Sequence, residues 1–198
     1  MKTGSVLSLN VARAAPVAIN GRKVMTAIAK RSVEGERAVR PFGIEGDEQA
    51  DLSVHGGLSK AVYAYPGEHY AFWKTVRAQA QVALWDEVLP FGSLGENLTL
   101  QGVVETDLWI GDTLRFPGCE LAVSEPRYPC FKFSAAMGFR HAARLMTESA
   151  WCGAYLAVRV PGTIAAGQAF TLVPGAREVG IAELFRARMS RAAASAAR

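Results

Sequence analysis

The sequence has few of the features that mark several large classes of protein. Its 198 residues contain 3 cysteines and 3 histidines, and no apolar run approaches the roughly 20 residues of a membrane span. An odd number of cysteines without paired spacing does not form a disulfide framework, and it fits a reducing compartment. The apolar stretch near the N-terminus is interrupted by Ser8, Asn10 and Arg13. We therefore expect no signal peptide, a cytoplasmic location and no membrane partner.

Common signatures of nucleotide-binding proteins, hydrolases and zinc proteins are also missing. The chain has no G-x-G-x-x-G, G-x-x-x-x-G-K-[ST], G-x-S-x-G, C-x-x-C or H-x-x-x-H pattern. The net charge is +4, but five arginines and two glutamates lie from Arg177 onward, so the rest of the chain is nearly neutral. A body without a strongly basic surface lacks the electrostatic footprint of a DNA-binding protein, and we expect no nucleic-acid partner.

Short strand-like segments separated by turn residues dominate the chain. This pattern predicts a mainly β protein with inserted helices, either a barrel or a sandwich. Residues 31–58 show little apolar periodicity, and a structureless stretch of that length in a compact domain is either functional or wrongly assigned. The predicted strands are 6–11, 23–30, 61–65, 97–100, 113–116, 120–124, 155–160 and 168–173, and the predicted helices are 66–80, 130–147 and 178–189.

Residues 46–60 form the first segment with the composition of a binding site. Three acids, a histidine, two adjacent glycines and a lysine lie within fifteen residues. Adjacent glycines allow the backbone to approach a ligand closely. In the alternative interpretation Asp47 and Glu48 are turn and cap residues, because Asp and Gly are common in ordinary loops.

Residues 125–132 form the second such segment. Two prolines make the approach to Cys130 rigid, and a helix is predicted to begin at or just after this cysteine. Backbone N–H groups at a helix start and nearby cations such as Arg127 lower the pKa of a thiol. Cys119 and Cys152 lie in apolar settings, so we expect them to be buried and not to be ligands. We also expect both segments to line one pocket, since a cofactor site draws on several loops at once.

At these segments the sequence resembles a known family, the MOSC domains (molybdenum cofactor sulfurase C-terminal domains), and within it the bacterial YiiM type. The motifs follow the family's order between about residues 5 and 173. They are 25–30 (MTAIAK), 43–51 (GIEGDEQAD), 55–57 (HGG), 60–65 (KAVYAY), 92–98 (GSLGENL), 110–112 (IGD) and 127–132 (RYPCFK). The chain departs from the family at Leu58-Ser59, where Pro-Asp is usual, and it has about one helix of the usual three-helix C-terminal extension.

The resemblance implies a closed β-barrel of the pyruvate-kinase barrel type over residues 1–175, followed by a short helix and an Ala/Arg-rich tail over residues 176–198. It also implies a molybdenum cofactor (molybdopterin) whose metal is bound by the Cys130 thiolate. The implied activity is the reduction of N-hydroxylated bases, a detoxification reaction with electrons from a flavoprotein reductase. We expect Asp47 or His55 to act as a proton donor. The residues expected to bind the cofactor are Thr26, Lys30, Arg31, His55, Gly56, Gly57, Lys60, Asn97 and Arg127.

Two other functions are compatible with the same residues. Cys130 could carry a persulfide and deliver sulfur without binding a metal, or the protein could hold molybdopterin without turnover. The dense polar loop of residues 46–60 favours a defined pocket over a bare carrier. For Arg31 and Lys60, a solvated surface charge is the alternative interpretation. A homodimer is a further expectation.

Overall fold

The computed structural model describes residues 1–50 and 56–196. The α-helices are α1 (Tyr70–Gln79), α2 (Phe131–Met137), α3 (Ala142–Ser149) and α4 (Ile181–Ala196), and single 3₁₀ turns cover Leu58–Lys60, Gly67–His69 and Glu105–Asp107. The strands are β1 (Lys2–Val11), β2 (Ala15–Ile19), β3 (Arg22–Thr26), β4 (Arg31–Ser32), β5 (Arg37–Arg40), β6 (Gly43–Ile44), β7 (Val62–Pro66), β8 (Leu98–Gln101), β9 (Thr113–Phe116), β10 (Cys119–Pro126), β11 (Ala154–Val160), β12 (Gly162–Ile164) and β13 (Ala169–Val173).

Seven of the strands in the described part of the chain form a closed barrel. They pair in the order β13, β9, β10, β11, β7, β8 and β1, and β1 pairs back with β13 in the register Lys2↔Leu172 to Ser5↔Ala169. These pairs are antiparallel except β7–β8, which is parallel. Closure removes the exposed strand edges of an open sheet. The predicted mainly β class and the closed barrel are confirmed.

Apolar side chains fill the barrel interior and the contacts between the barrel and its helices. Leu9, Leu98, Leu114 and Leu121 are fully buried on barrel strands. Full burial of one such side chain contributes about 1.5–3 kcal/mol relative to exposure. Trp73 of α1 is also fully buried, so the helices share the same core.

Several predicted elements have different boundaries in the structure. The predicted strand 23–30 ends at Thr26, and residues 27–30 turn into the cleft described below. The α-helix predicted at 66–80 starts only at Tyr70, because β7 continues through Pro66 and a 3₁₀ turn follows. The helix predicted at 130–147 is two helices, since Gly138 adopts a left-handed conformation (φ 84°) that ends α2.

Residues 31–50 contain short strands that the sequence did not reveal. Strand β5 pairs with β6 and with β12, and no ladder joins these three strands to the barrel sheet within the described residues. Strands of two to four residues are too short to show the period of two that identifies a strand in a sequence. The segment that follows carries residues 47–50 into the cleft.

Helix α4 is longer than the predicted helix 178–189. Ile181 and Phe185 are fully buried, and the helix packs against β10. The Ala/Arg-rich part, expected to be a tail, continues the helix to Ala196, because Ala and Arg are strong helix formers. No helix in residues 1–50 and 56–196 combines the length and apolar character needed to cross a bilayer.

Candidate functional site

The two segments selected from the sequence meet in one cleft. Residues 47–50 and Lys60 contribute one part of its lining, and Arg127 and Cys130 contribute another. The expected shared pocket is therefore confirmed for the described residues. The sequence-predicted site residues that line the cleft are Thr26, Lys30, Asp47, Lys60, Asn97, Arg127 and Cys130.

Cys130 is the accessible cysteine of the described chain. It immediately precedes α2 with extended backbone angles and is partly exposed, whereas Cys119 and Cys152 are buried. Burial raises the pKa of Cys119 to about 11 and raises the pKa of Cys152 well above its ordinary value. Both buried thiols stay protonated at neutral pH, which makes them poor ligands. The expected difference in exposure is confirmed, and the metal-binding role of Cys130 stays a prediction.

Arg127 is a buried cation in the wall of the cleft. Its residue is only 4% exposed, and its guanidinium carbon lies 4.6 Å from the centre of the Phe133 ring and 5.6 Å from that of Tyr63. Its Nη1 atom is 3.4 Å from the Met146 sulfur. Among the described residues, no carboxylate forms an ion pair with it. Removing a cation from water is unfavourable without an opposite charge, so the cleft is suited to an anionic ligand.

Lys30, Asp47 and Asn97 form a polar cluster in the same cleft. The Asp47 Oδ1 atom accepts from Lys30 Nζ and from the Ala12 N–H group at 2.8 Å, and Oδ2 accepts from Asn97 Nδ2 at 2.9 Å. Both oxygens are thus engaged, and Asp47 holds the lysine and the amide in place. The role of Asp47 as a proton donor stays a prediction.

The charge of Lys30 is disfavoured by its surroundings. Its side chain is 7% exposed, and burial lowers its pKa although Asp47 acts in the opposite direction. Asn97 is fixed from two sides, since its Oδ1 atom accepts from the Tyr63 N–H group at 3.0 Å and its Nδ2 atom donates to Asn10 O at 3.2 Å. These contacts orient Asn97 before any ligand arrives.

Two further lysines border the cleft. Lys60 Nζ lies 3.7 Å from a Glu125 carboxylate oxygen and 5.8 Å from the centre of the Tyr155 ring. Lys132 Nζ donates to the Met25 carbonyl at 3.2 Å. Both ammonium groups therefore lie where they can attract an anion into the cleft.

Several predicted binding residues do not line this cleft. Arg31 is exposed and lines a neighbouring groove that shares Lys30 with the cleft. Gly56 and Gly57 do not line the cleft. The Gly57 N–H group donates at 2.8 Å to the side chain of Gln49, and Gln49 lines the cleft. His55 lies outside the described residues. The binding roles of these four residues stay predictions.

The sequence reasoning missed the buried Glu96, which supports one wall of the cleft. Its carboxylate accepts from Tyr70 Oη, from Gly92 N at 2.7 Å and from Thr99 Oγ1 at 2.7 Å. Burial raises the pKa of Glu96 above its ordinary value. The motif at 92–98 was noticed, but a carboxylate in a Gly-rich segment gives no sign that it will be buried.

Gly92 and Gly95 explain why this wall can approach residues 28–30. Both have φ of 89°, and a Cβ atom at Gly92 would lie 2.8 Å from the Lys30 carbonyl oxygen. A Cβ atom at Gly95 would lie 2.9 Å from an Ile28 side-chain carbon. Only glycine allows both the conformation and the contact.

The donor set of the cleft fits a metal that arrives with its own ligands. Within residues 1–50 and 56–196, no three His, Cys, Asp or Glu side chains cluster as a metal site. One accessible thiol accompanied by Arg127, Lys60 and Lys132 suits a metal-bearing organic cofactor with a phosphate group. The residues present therefore fit a molybdopterin-type group.

Fold and site together define a closed β-barrel protein with a cationic cleft built around one accessible cysteine. Residues 51–171 match the model of the MOSC domain family, and the chain belongs to this family. It is a YiiM-like member of the molybdenum cofactor sulfurase C-terminal type, as the sequence resemblance predicted.

Known relatives cover nearly the whole chain. The protein YflK of Bacillus subtilis is 34% identical over 186 residues, which are 94% of this chain and 80% of YflK. The protein YiiM of Escherichia coli is 36% identical over 80% of this chain and 68% of its own length. The crystal structure of YiiM from Geobacillus stearothermophilus superposes with a TM-score of 0.74 at 27% identity, covering 95% of this chain and 85% of that structure. A protein named Reductase from Gibberella moniliformis is 30% identical over 87% of this chain, which spans 30% of that longer protein.

Proposed function

We propose that this protein is a molybdenum-cofactor-dependent oxidoreductase that reduces N-hydroxylated bases or related compounds, with Cys130 as the metal ligand. The observation that carries the proposal is the placement in one cleft of the accessible Cys130 thiol and the buried Arg127, which pairs with no carboxylate among the described residues. The reductase name of one relative agrees with an oxidoreductase.

Each residue of the cleft has a role in this proposal. Cys130 supplies the thiolate, and Arg127, Lys60 and Lys132 neutralise the phosphate group of the cofactor. Thr26 and Asn97 offer polar groups to the edge of the pterin. The bound molybdenum cofactor would supply the two-electron redox chemistry.

Conversion of an N-hydroxylamine to an amine consumes two electrons and two protons and releases water. The leaving oxygen must be protonated, so an acid is needed in the cleft. His55 and Asp47 are the proposed donors. Lys30 is a further proton source, because its ammonium lies in the cleft and its pKa is lowered by burial.

The electrons would come from a flavoprotein reductase. We further propose that the protein is cytoplasmic and forms a homodimer. It would act on small molecules, without a nucleic-acid or membrane partner. The proposed electron donor is tested by adding a purified flavoprotein reductase in place of an artificial electron donor. The proposal predicts that the reductase sustains repeated turnover.

The first test measures molybdenum retention. Protein from a host that makes the cofactor is desalted, and its molybdenum and pterin contents are compared between wild type and Cys130→Ser. We expect the variant to fold normally, since Cys130 is partly exposed and the change is nearly isosteric, and to lose the molybdenum, because a hydroxyl replaces the thiolate poorly. Reduction of a hydroxylamino purine with an artificial electron donor should disappear with the metal.

Cys119→Ser is the matched control. This change places a hydroxyl in the core and should lower the free energy of unfolding by roughly 1 kcal/mol or more, while molybdenum content and activity per folded molecule stay unchanged. Equal activity of Cys130→Ser and wild type would refute the proposed enzyme. If wild type and Cys130→Ser are both inactive, and wild type carries sulfane sulfur on Cys130 but no molybdenum, the result would instead support a sulfur carrier.

A further inference from the structure

The C-terminal segment is tied to the barrel before α4 begins. The fully buried Asp112 accepts hydrogen bonds from Gly175 N at 2.7 Å and from Arg177 Nη2 at 3.2 Å. The Ile181 N–H group donates to the Leu108 carbonyl at 2.9 Å. Because these bonds reach the barrel from both sides of the connection, the start of α4 has a fixed position.

From this position α4 contacts Tyr128, two residues before Cys130. The rings of Tyr128 and Phe185 are stacked within 8° of parallel, with centroids 5.6 Å apart. The Arg188 guanidinium carbon lies 4.5 Å from the centre of the same tyrosine ring. The tyrosine is thus held by an aromatic and a cationic contact from one helix.

The segment that leads to Cys130 is consequently anchored on two sides. Arg127 is buried in the cleft wall, and the next residue, Tyr128, contacts α4. Pro126 and Pro129 restrict the backbone on either side of this pair. Loss of either anchor would leave Cys130 at the end of a segment held from one side.

We propose that α4 positions the Cys130 thiol by holding Tyr128, and that Phe185 and Arg188 are positioning residues of the site. The proposal rests on the proposed function only for the use made of Cys130. It assigns the short C-terminal helix a role in the cleft, although none of the described residues of that helix lines it.

The test measures the alkylation rate of Cys130 by iodoacetamide at one fixed pH in metal-free protein. Cys119 and Cys152 are buried and do not compete while the protein is folded. Tyr128→Leu removes the ring held by α4, and we expect the alkylation rate to rise about five-fold as the thiol becomes more accessible. Tyr128→Phe keeps the ring and should restore a rate close to that of wild type.

Variants of α4 test the helix side of the contact. Arg188→Ala should raise the rate about three-fold because it removes the cation from the tyrosine ring. Arg186→Ala is the matched control, since Arg186 is an exposed arginine of the same helix and contacts neither Tyr128 nor the cleft. Thermal unfolding of each variant reports loss of global stability separately.

An unchanged rate in Tyr128→Leu, or an equal rise in Tyr128→Phe, would overturn the positioning role. So would an equal rise in Arg186→Ala. Because the assay contains no molybdenum, its result is independent of the proposed activity. If wild type retains molybdenum through Cys130 while the Tyr128 and Arg188 variants show unchanged alkylation rates, the proposed function stands and the role of α4 is refuted.

Discussion

Two groups of buried polar residues in this protein have opposite characters. His69 Nε2 lies 2.8 Å from Glu105 Oε2, the other carboxylate oxygen accepts from Gly153 N at 2.7 Å, and the imidazole is stacked on Trp151 at 4.3 Å. The imidazole Nε2 atom and both oxygens of the Glu105 carboxylate have partners within the fold. In the cleft, by contrast, Arg127 has no carboxylate partner among the described residues and lies beside an accessible thiol. Burial of a charge therefore does not by itself mark a candidate site. The cleft differs from the first group because its buried charge lacks a carboxylate partner among the described residues.

The largest effect is expected from breaking the satisfied group. Glu105→Ala leaves the Gly153 N–H group and His69 without their acceptor, and it should lower the free energy of unfolding by about 3 kcal/mol. Chemical denaturation measures this loss. Molybdenum content per folded molecule should not change, and a selective loss of the metal would show that the two groups are coupled.

The opposite result is expected in the cleft. Arg127→Leu removes a buried charge that has no carboxylate partner in the described part of the chain, so the free energy of unfolding should stay within about 1 kcal/mol of wild type or increase. Affinity for the anionic cofactor should fall by roughly two orders of magnitude, because a charge-assisted contact is lost. Equilibrium dialysis against the cofactor measures this, with Arg186→Ala as the control. A large loss of stability together with unchanged affinity for the cofactor would contradict this assignment, because Arg127 would then stabilise the fold and not bind the ligand.

A smaller, pH-dependent effect is expected at Glu96. Burial raises its pKa above 4.5, so between pH 4.5 and its folded-state pKa the folded protein binds more protons than the unfolded chain. The contribution of Glu96 to stability therefore falls as pH rises through this window. The side chain in Glu96→Gln does not titrate. The free energy of unfolding of this variant should therefore rise relative to that of wild type as pH increases. Urea unfolding at a series of pH values measures the difference, and a difference independent of pH would contradict the shift.

The sequence predicted much of the barrel and the two segments that meet in the cleft. Strands such as β10 and β13 were recognised because alternating burial leaves a period of two in the sequence. The proline-flanked, cationic setting of Cys130 distinguished it from the two buried cysteines. The break between α2 and α3 was missed, because Gly138 lies within a continuous helical pattern and its left-handed conformation depends on the fold.

The environments of the site residues could not be predicted in the same way. Asp47 has the composition of an ordinary loop acid, yet its carboxylate bonds Asn97, which lies 50 residues away in the chain. Glu96 gave no sign of burial. Arg127 resembles any surface arginine until the strands close around it.

Local properties of this protein can be read from its sequence: which segments alternate as strands, which stretches turn, and which cysteine stays out of the apolar pattern. These properties depend on neighbouring residues, whose spacing is visible in the chain. Folding settles which charges are paired, that Arg127 is buried without a carboxylate from residues 1–50 or 56–196, and that α4 reaches Tyr128. The physical reason is that pairing and desolvation depend on side chains far apart in sequence, and their distances are set when the barrel closes.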